Sequence, residues 1–384
     1  MNICLLAGAR PNFVKVAPII KAIEKARAQG RDVACTLVYA GADNDNTLEL
    51  SLFDDLQMRR PDVFLGVECQ SLNELTGRVM GEFEKYLSLH PTDVVIVVDD
   101  LASTMAAAIV TKKQGIRLAH LVAGTRSFDI NMPKEINRLV IDGLSDLLFT
   151  AGEGASYTVS KEGVQLSQVY QVGNILMDTL RANYQRLRRP EVLSQLGIED
   201  GQYIVFTLNR KALVNDAGNL RQMLKEMLLA ANEMSGADSG VPGAAKGIPI
   251  VAPLRDYARR AVEEQLATIN VPLGSFHITQ PMGYLEFGYL TAHAKGIITD
   301  SGNVAEEATF NGVPCATLNS YTEHIETVRI GTNVLVGENP QRLHEAVADM
   351  VCGRWKTSNI PDRWDGRSAE RIVQILLDTQ PRNL

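Results

Sequence analysis

The stretch Ile-Ile-Thr-Asp-Ser-Gly-Asn-Val-Ala-Glu-Glu-Ala, residues 297–308, decides the fold. A short apolar run breaks at an Asp-Ser-Gly-Asn turn and resumes in a helix-forming pattern, which predicts a strand, a tight turn and a helix. Ser301 or Asn303 is expected to cap the helix, and Gly302 lets backbone amides approach a ligand closely. The free N–H groups and the dipole of such a helix start favour an anion, usually a phosphate.

Two acidic residues follow this turn, Glu306 and Glu307, and they suit a first helical turn. Two carboxylates beside a phosphate would repel it, so we expect at least one to point aside, where it can accept hydrogen bonds from sugar hydroxyls. An ordinary capped helix with acidic residues in its first turn explains the same stretch. Residues 297–308 alone do not distinguish a phosphate-binding turn from an ordinary capped helix.

Composition places the chain among soluble globular proteins. Its 384 residues exceed one typical core, so two α/β domains are expected. The chain is 45% hydrophobic and has a net charge of −7, which argues against nucleic acid as a partner. The apolar run at residues 3–7 is too short to span a membrane and has no basic leader before it, so we expect neither a signal peptide nor a membrane partner.

The five cysteines and six histidines are scattered along the chain. No two cysteines form a CxxC pair, and the histidines show no short metal-ligand spacing. We therefore expect a reduced, cytoplasmic compartment with no disulfide framework, no metal site and no cofactor.

Apolar runs and helical periodicity alternate along the whole chain. In the first half, strands are predicted at residues 2–8, 33–39, 94–98, 118–123, 147–149 and 169–172. Nearly every one is followed by a predicted helix, which indicates a parallel sheet with crossover connections. The pattern restarts after Gly173-Asn174, which we interpret as a hinge between domains at residues 1–174 and 175–365. Residues 236–247 are rich in glycine and alanine and are expected to form a surface loop.

Polar residues follow two predicted strands of the first half. Arg10 comes after the first strand, at the carboxyl edge where open α/β sheets bind ligands, so it is either a phosphate contact or a solvated loop arginine. Asp99-Asp100 ends the strand at 94–98, and two adjacent carboxylates there need solvent, a cation or a substrate. Asp100 suits a general base if a neighbouring charge or burial raises its pKa, and capping of the next helix is the alternative.

The order of short motifs resembles the UDP-N-acetylglucosamine 2-epimerase family over nearly the full length. The matching landmarks are residues 8–11, Asp100, 123–124 with 126, 133–138, 173–174, 281 with 284–285, 300–302 with 306–307, 322–323, 331–332 and 368–373. The resemblance implies a GT-B-type α/β fold, with two Rossmann-like domains facing a central cleft. It also implies that the final helix, residues 366–384, crosses back to the first domain.

The resemblance further implies C2 epimerisation of a UDP-N-acetylhexosamine, in which UDP is eliminated and then added back. In that family the Asp-Ser-Gly turn holds the pyrophosphate and the second glutamate holds the ribose. These roles fall to Ser301, Gly302 and Glu307, with Arg10 assisting from the first domain. Further contacts to the UDP-sugar are expected from a second group of residues, Arg138, Asn209, Arg210 and Asn303. We also expect a homodimer.

The chain departs from the family pattern at three of the four expected catalytic positions. The family aspartate is present as Asp100, but Val122 and Asn209 stand where the family has a glutamate and a histidine, and Lys134 replaces the first glutamate of a Pro-Glu-Glu motif. With Val122 and Asn209 unable to act as bases, Asp100 is the predicted proton acceptor, its pKa raised by repulsion from Asp99.

Two further residues complete the predicted catalytic set. Lys134 is predicted to be a cation for the departing diphosphate, and Glu135 is the reserve base. Two alternatives to a 2-epimerase remain open: a diverged hydrolysing or glycosyltransferase-like enzyme, and a non-catalytic protein that binds a UDP-sugar.

Overall fold

The computed structural model describes residues 1–48, 50–233, 247–273 and 276–379. The chain divides into two compact units, one made of residues 1–184 together with the segment from Asp362 onward, the other of Gln185–Pro361. Gly173 and Asn174 lie within the first unit. The predicted loop at 236–247 lies outside the described residues except for Gly247.

In the first unit, strands and helices alternate. The elements are β1 (Asn2–Ala7), α1 (Arg10–Ala28), β2 (Ala34–Tyr39), α2 (Leu50–Leu56), β3 (Val63–Phe64), α3 (Leu72–Leu89), β4 (Val94–Val98), α4 (Ala102–Lys113), β5 (Arg117–Ala123), α5 (Pro133–Leu144), β6 (Leu147–Thr150), α6 (Glu153–Lys161), β7 (Val169–Gln171) and α7 (Ile175–Asn183). The strands form one parallel sheet in the order β3-β2-β1-β4-β5-β6-β7. The direction in which the sheet grows therefore reverses between β1 and β4.

The second unit repeats this architecture. Its elements are α8 (Glu191–Gln195), β8 (Ile204–Phe206), α9 (Lys211–Asn215), α10 (Ala217–Glu233), β9 (Ile250–Pro253), α11 (Asp256–Leu266), β10 (Phe276–Thr279), α12 (Tyr284–Ala292), β11 (Gly296–Thr299), α13 (Gly302–Asn311), β12 (Cys315–Thr317), α14 (Ile325–Arg329), β13 (Asn333–Leu335) and α15 (Pro340–Cys352). The strands are again parallel, in the order β10-β9-β8-β11-β12-β13. Here the reversal lies between β8 and β11.

The last helix, α16 (Ser368–Asp378), returns to the first unit and packs against α1 and α7. The carboxylate of Asp178 on α7 accepts hydrogen bonds from the amides of Ser368 (3.0 Å) and Ala369 (2.8 Å), so α7 caps the first turn of α16. The prediction that the final helix crosses back to the first domain is confirmed.

The sheets form the cores because their central strands are apolar along their whole length. All five residues of β4 are buried, as expected for a parallel strand that helices cover on both faces. The fold is therefore α/β with two doubly wound parallel sheets, as predicted. Among the described residues, no helix combines the length and the apolar character needed to cross a bilayer.

Candidate active site

Each sheet brings predicted site residues to the place where its strand order reverses. In open α/β sheets, ligands bind outside the carboxyl ends of the strands at this point, because the connecting loops diverge there. In the first unit, Arg10 follows β1 and Asp100 follows β4. In the second unit, Asn209 and Arg210 follow β8, and the Asp-Ser-Gly turn follows β11. The topology thus defines one candidate site in each unit.

The turn after β11 leaves the start of α13 free for a ligand. Ser301 is the N-cap residue of α13, but its hydroxyl does not cap the helix. The first intrahelical bond runs from Ala305 N to Ser301 O, so the amides of residues 302–304 have no intrahelical acceptor. Apart from its chain neighbours and its own helix backbone, a Cβ atom placed on Gly302 would meet no atom of the described residues within 4 Å. Free amides, an unengaged hydroxyl and open space together suit an anion.

The Asp300 side chain connects the two loops at this edge. Its Oδ2 accepts hydrogen bonds from the amides of Asn209 (2.7 Å) and Arg210 (2.5 Å), which joins the turn after β11 to the loop after β8. Its Oδ1 is buried and, within the described part of the chain, has no hydrogen-bond partner. A carboxylate that is used to hold two loops together positions the ligand-binding backbone.

The other three predicted ligand contacts at this edge, Asn209, Arg210 and Asn303, differ in how available their side chains are. The Asn209 side chain is exposed and Asn303 is partly exposed. The Arg210 guanidinium is engaged, since Nη1 donates to Asn319 Oδ1 at 2.8 Å and Nη2 forms an ion pair with Glu338. Arg210 therefore has to share its guanidinium with Glu338 if it is to contact a phosphate.

Glu306 and Glu307 lie in the second turn of α13, so their predicted place in the first turn is wrong. The helix begins at Gly302, four residues before Glu306, with Ser301 as its N-cap residue. Glu306 is buried and lies 3.2 Å from His324 Nδ1. Burial, and then the charge of Glu306, raise the pKa of Glu307 to about 8. Glu307 is 9% exposed and makes no hydrogen bond to any described residue.

Tyr284 is a polar residue at this edge to which the sequence assigned no role. Its hydroxyl is buried without a hydrogen-bond partner among the described residues. Burial raises the pKa of Tyr284 first, and the Glu307 carboxylate raises it further. Glu307 and Tyr284 thus place a carboxyl and a hydroxyl near one another at this edge, and both can form hydrogen bonds to a polar ligand. The only signal for Tyr284 in the sequence was its presence among the family landmarks.

In the first unit, Asp99 and Asp100 point apart. Asp99 has a left-handed backbone with φ of 59°, and its carboxylate contacts Lys15 Nζ at 2.5 Å and Asn12 Nδ2 at 2.8 Å. The Asp100 carboxylate contacts Arg138 Nη2 at 2.6 Å and Lys134 Nζ at 3.4 Å. Burial alone would raise the pKa of Asp100, but Lys134 and Arg138 outweigh it and hold this pKa below its ordinary value.

Two expectations about this pair are therefore wrong. Repulsion from Asp99 does not raise the pKa of Asp100, because each carboxylate has its own cations and faces away from the other. The alternative of helix capping is also wrong, since the N-cap residue of α4 is Leu101 and makes no side-chain cap. The turn instead forms one ion pair with each of two helices, Asp99 with Lys15 of α1 and Asp100 with Arg138 of α5.

Helix α5 brings Lys134, Glu135 and Arg138 to the same edge. Lys134 is exposed at 58% of its side-chain surface. Glu135 is buried and accepts hydrogen bonds from Ser127 N (2.9 Å), Phe128 N (3.0 Å) and Arg138 Nη1 (3.0 Å), and these bonds lower its pKa against the effect of burial. This set of partners makes Glu135 an anchor for the loop before α5 and for Arg138.

Arg10 lies at the carboxyl end of β1, at the first position of α1. Its Nε is buried and has no hydrogen-bond partner among the described residues. The turn before it is tight, because a Cβ on Gly8 would lie 2.1 Å from Ser103 Oγ. Asn12, which the sequence did not single out as a site residue, holds this turn by accepting from Gly8 N (2.9 Å) and Ala9 N (3.1 Å).

Two doubly wound parallel sheets, each with polar side chains at its reversal point, define the GT-B class of α/β proteins. Within that class, the chain belongs to the UDP-N-acetylglucosamine 2-epimerase family, whose sequence model matches residues 25–377.

Proteins of known activity and structure resemble the chain over almost its whole length. It is 31% identical to UDP-N-acetylglucosamine 2-epimerase of Methanocaldococcus jannaschii over 98% of this chain and 99% of that protein. It is also 31% identical to UDP-2,3-diacetamido-2,3-dideoxy-D-glucuronate 2-epimerase of Pseudomonas aeruginosa, with the same coverage. The crystal structure of the M. jannaschii enzyme in complex with UDP-GlcNAc and UDP matches with a TM-score of 0.80 and 30% identity, over 98% of this chain and 100% of that chain.

Proposed function

We propose that the chain is a 2-epimerase that acts on a UDP-N-acetylhexosamine or a close relative of it. The observation that carries the proposal is the candidate site at the start of α13. Free amides and the Ser301 hydroxyl suit a pyrophosphate, Gly302 leaves room for it, and Glu307 offers an unpartnered carboxyl to ribose hydroxyls. These are the groups that a nucleoside diphosphate requires.

Asp100 is the proposed proton acceptor for C2, and Lys134 and Arg138 are the proposed cations for the diphosphate. A base takes the C2 proton, the C1–O bond breaks, and UDP leaves with the bonding electron pair. UDP then adds back after C2 has been reprotonated on the other face. Cations beside the leaving group stabilise its developing charge.

The exposed Lys134 provides a way to make Asp100 more basic at the moment of reaction. Its ammonium is 3.4 Å from Asp100 and lies on a largely exposed side chain, so an arriving diphosphate can draw it away. Losing one of its two cations raises the pKa of Asp100 toward that of a useful base. Arg138 is buried and hydrogen-bonded and stays in place.

A non-catalytic UDP-sugar binder is the second candidate. The observation in its favour is that Lys134 and Arg138 lower the pKa of Asp100 against the effect of burial, so that its carboxylate is a weak base in the free protein. Val122 and Asn209 add no titratable group.

The test is incubation with a panel of UDP-sugars in deuterated water, followed by NMR of the C2 position and of free UDP. We expect deuterium at C2 and interconversion of the C2 epimers. Asp100→Asn should keep UDP binding and lower the exchange rate at least about 100-fold. Binding without exchange supports the second candidate, and UDP release without epimer formation supports a hydrolysing enzyme.

The expected homodimer and cytoplasmic location remain predictions. Size-exclusion chromatography with light scattering measures the first, and fractionation of cells that express the protein measures the second.

A further inference from the structure

A buried histidine that plays no part in the proposed reaction lies beneath the Asp99-Asp100 turn. His120 is on β5, is 1% exposed, and has a hydrogen-bond acceptor on each side. Its Nε2 lies 3.0 Å from the carbonyl oxygen of Asp99. Its Nδ1 lies 2.5 Å from Oδ1 of Asp142 on α5.

The two acceptors decide the protonation of the ring. A backbone carbonyl oxygen can only accept, so Nε2 must carry a proton and donate it to Asp99. The Asp142 carboxylate also accepts at Oδ2, from Gly124 N at 3.1 Å and from Arg126 Nη1 at 2.7 Å. The Asp142 carboxylate is buried in this ion pair with the Arg126 guanidinium, so it is ionised, and Nδ1 must donate to it as well. An imidazole that donates from both nitrogens is a cation.

The charged groups around the ring balance this cation. The carbonyl of Asp99 faces it from the end of β4, and the Asp142 carboxylate faces it from α5. Behind Asp142 lies Arg126, which is itself paired with Glu162 at 2.6 Å. Each of the two carboxylates, Asp142 and Glu162, is therefore matched by one cation, His120 or Arg126.

The contact at Nε2 bears on where Asp100 points. The left-handed backbone of Asp99 turns the chain so that Asp99 faces α1 and Asp100 faces α5. The His120 hydrogen bond holds the Asp99 carbonyl in this conformation. Through Asp142, the same ring is tied to the helix that carries Arg138, the partner of Asp100.

We propose that His120 is a buried imidazolium that acts as the positioning residue for Asp100. The ring fixes the turn after β4 against α5, so that the Asp100 carboxylate meets Arg138. The catalytic part of this assignment rests on the proposed function. The charge of the ring and the geometry of the turn do not.

The first arm of the experiment reads the ring directly in the full-length protein. Histidine labelled with ¹⁵N is observed by NMR at pH 7.5, and His120→Gln identifies the His120 signals. We expect both ring nitrogens to be protonated. In Asp142→Asn, Nδ1 loses its anionic partner, so His120 should become neutral with the proton on Nε2. A neutral ring in the wild type would overturn the proposal.

The second arm reads the position of Asp100. The Arg138 Nε–H resonance, identified with Arg138→Lys, reports the hydrogen bond to Asp100. It should shift in His120→Gln and in Asp142→Asn. It should stay in place in His344→Gln, which removes a histidine of α15 in the other unit. An unmoved resonance in both test variants would show that His120 does not position Asp100, even if it is charged.

Turnover separates this proposal from the proposed function. If the wild type exchanges deuterium at C2, we expect His120→Gln to lower kcat at least tenfold while KM changes less than threefold. An unchanged kcat would overturn the positioning role. If no UDP-sugar is turned over by the wild type, the proposed function fails, and the two NMR arms still decide the charge and the geometry.

Discussion

At the scale of single residues, Val122 carries a strained backbone. It sits where the register between β5 and β6 shifts, and its φ is 71°. A β-branched residue in this left-handed region is costly, by about 1–3 kcal/mol, and such strain persists where surrounding structure enforces it, often at functional sites. The bulge points residue 122 away from the regular strand direction beside the Asp100 edge.

Replacing Val122 should therefore stabilise the protein. Asparagine tolerates the left-handed region, so Val122→Asn should raise the free energy of unfolding by about 1 kcal/mol in urea denaturation. Val122→Thr is the matched control, because threonine keeps the β-branch and the strain. Equal stability of the two variants would contradict the assignment of strain to this residue.

Glu307 should make stability depend on pH. Its pKa is about 8 in the folded protein, against an ordinary value of 4.5. The folded state thus holds a proton that the unfolded state loses between these values, so the contribution of Glu307 is fully present below about pH 4.5 and is lost as pH rises to about 8. The slope is roughly 1.4 kcal/mol per pH unit across that window.

Glu307→Gln should remove this slope and be more stable than the wild type at pH 8. In calorimetry at pH 9, above the pKa of Glu307, the same variant should bind UDP more weakly, because a neutral amide is a poorer acceptor than a carboxylate for ribose hydroxyls. Glu264→Gln, at an exposed position on α11, is the control and should change neither property. Parallel pH profiles of wild type and Glu307→Gln would rule out a buried, proton-holding Glu307.

The chemistry of these residues could be predicted from the sequence, but not the directions in which they point. The position of Asp100 at the end of an apolar strand indicated a polar edge. Its ion pair with Arg138 depends on the left-handed turn at Asp99 and on His120, which is 21 positions further along the chain. Local sequence carries no signal for a turn that distant hydrogen bonds enforce.

At the scale of elements, a substitution at the start of α13 should change stability and UDP affinity in opposite directions. A methyl group on Gly302 would meet no atom of the described residues beyond its neighbours and its own helix. The position is helical, so Gly302→Ala should raise stability by up to about 1 kcal/mol. The same methyl group would occupy the space in front of the free amides. UDP affinity should therefore fall at least tenfold in calorimetry. Unchanged affinity would show that the pyrophosphate does not approach this helix start.

The elements that the sequence predicted well are those with a strong apolar signal. The strand at residues 94–98 was predicted with its observed bounds because all five side chains are buried. The short edge strand β3 was missed, since two half-buried residues leave no pattern. Helix α3 was missed as well. Only Val79, Phe83, Tyr86 and Leu87 of its 18 residues are buried, so its polar surface dominates the sequence.

At the scale of the whole molecule, the two units differ in how the chain builds them. The second unit is one continuous segment, Gln185–Pro361, with cores of its own on both faces of its sheet. The first unit is completed only by α16, which follows the second unit in the chain. Four apolar residues of α16, Ala369, Ile372, Val373 and Leu376, are buried.

Truncation after Pro361 should therefore destabilise the first unit alone. Ile372 and Leu376 are fully buried, and losing them and the cap from Asp178 should cost at least about 3 kcal/mol. UDP binding that depends on Ser301 and Glu307 should remain measurable by calorimetry, while limited proteolysis should cut first within residues 1–184. A chain ending at residue 379 keeps the whole of α16 and should behave as the full-length protein. If the truncated chain loses UDP binding as its first unit unfolds, the second unit alone does not maintain the site at Ser301 and Glu307.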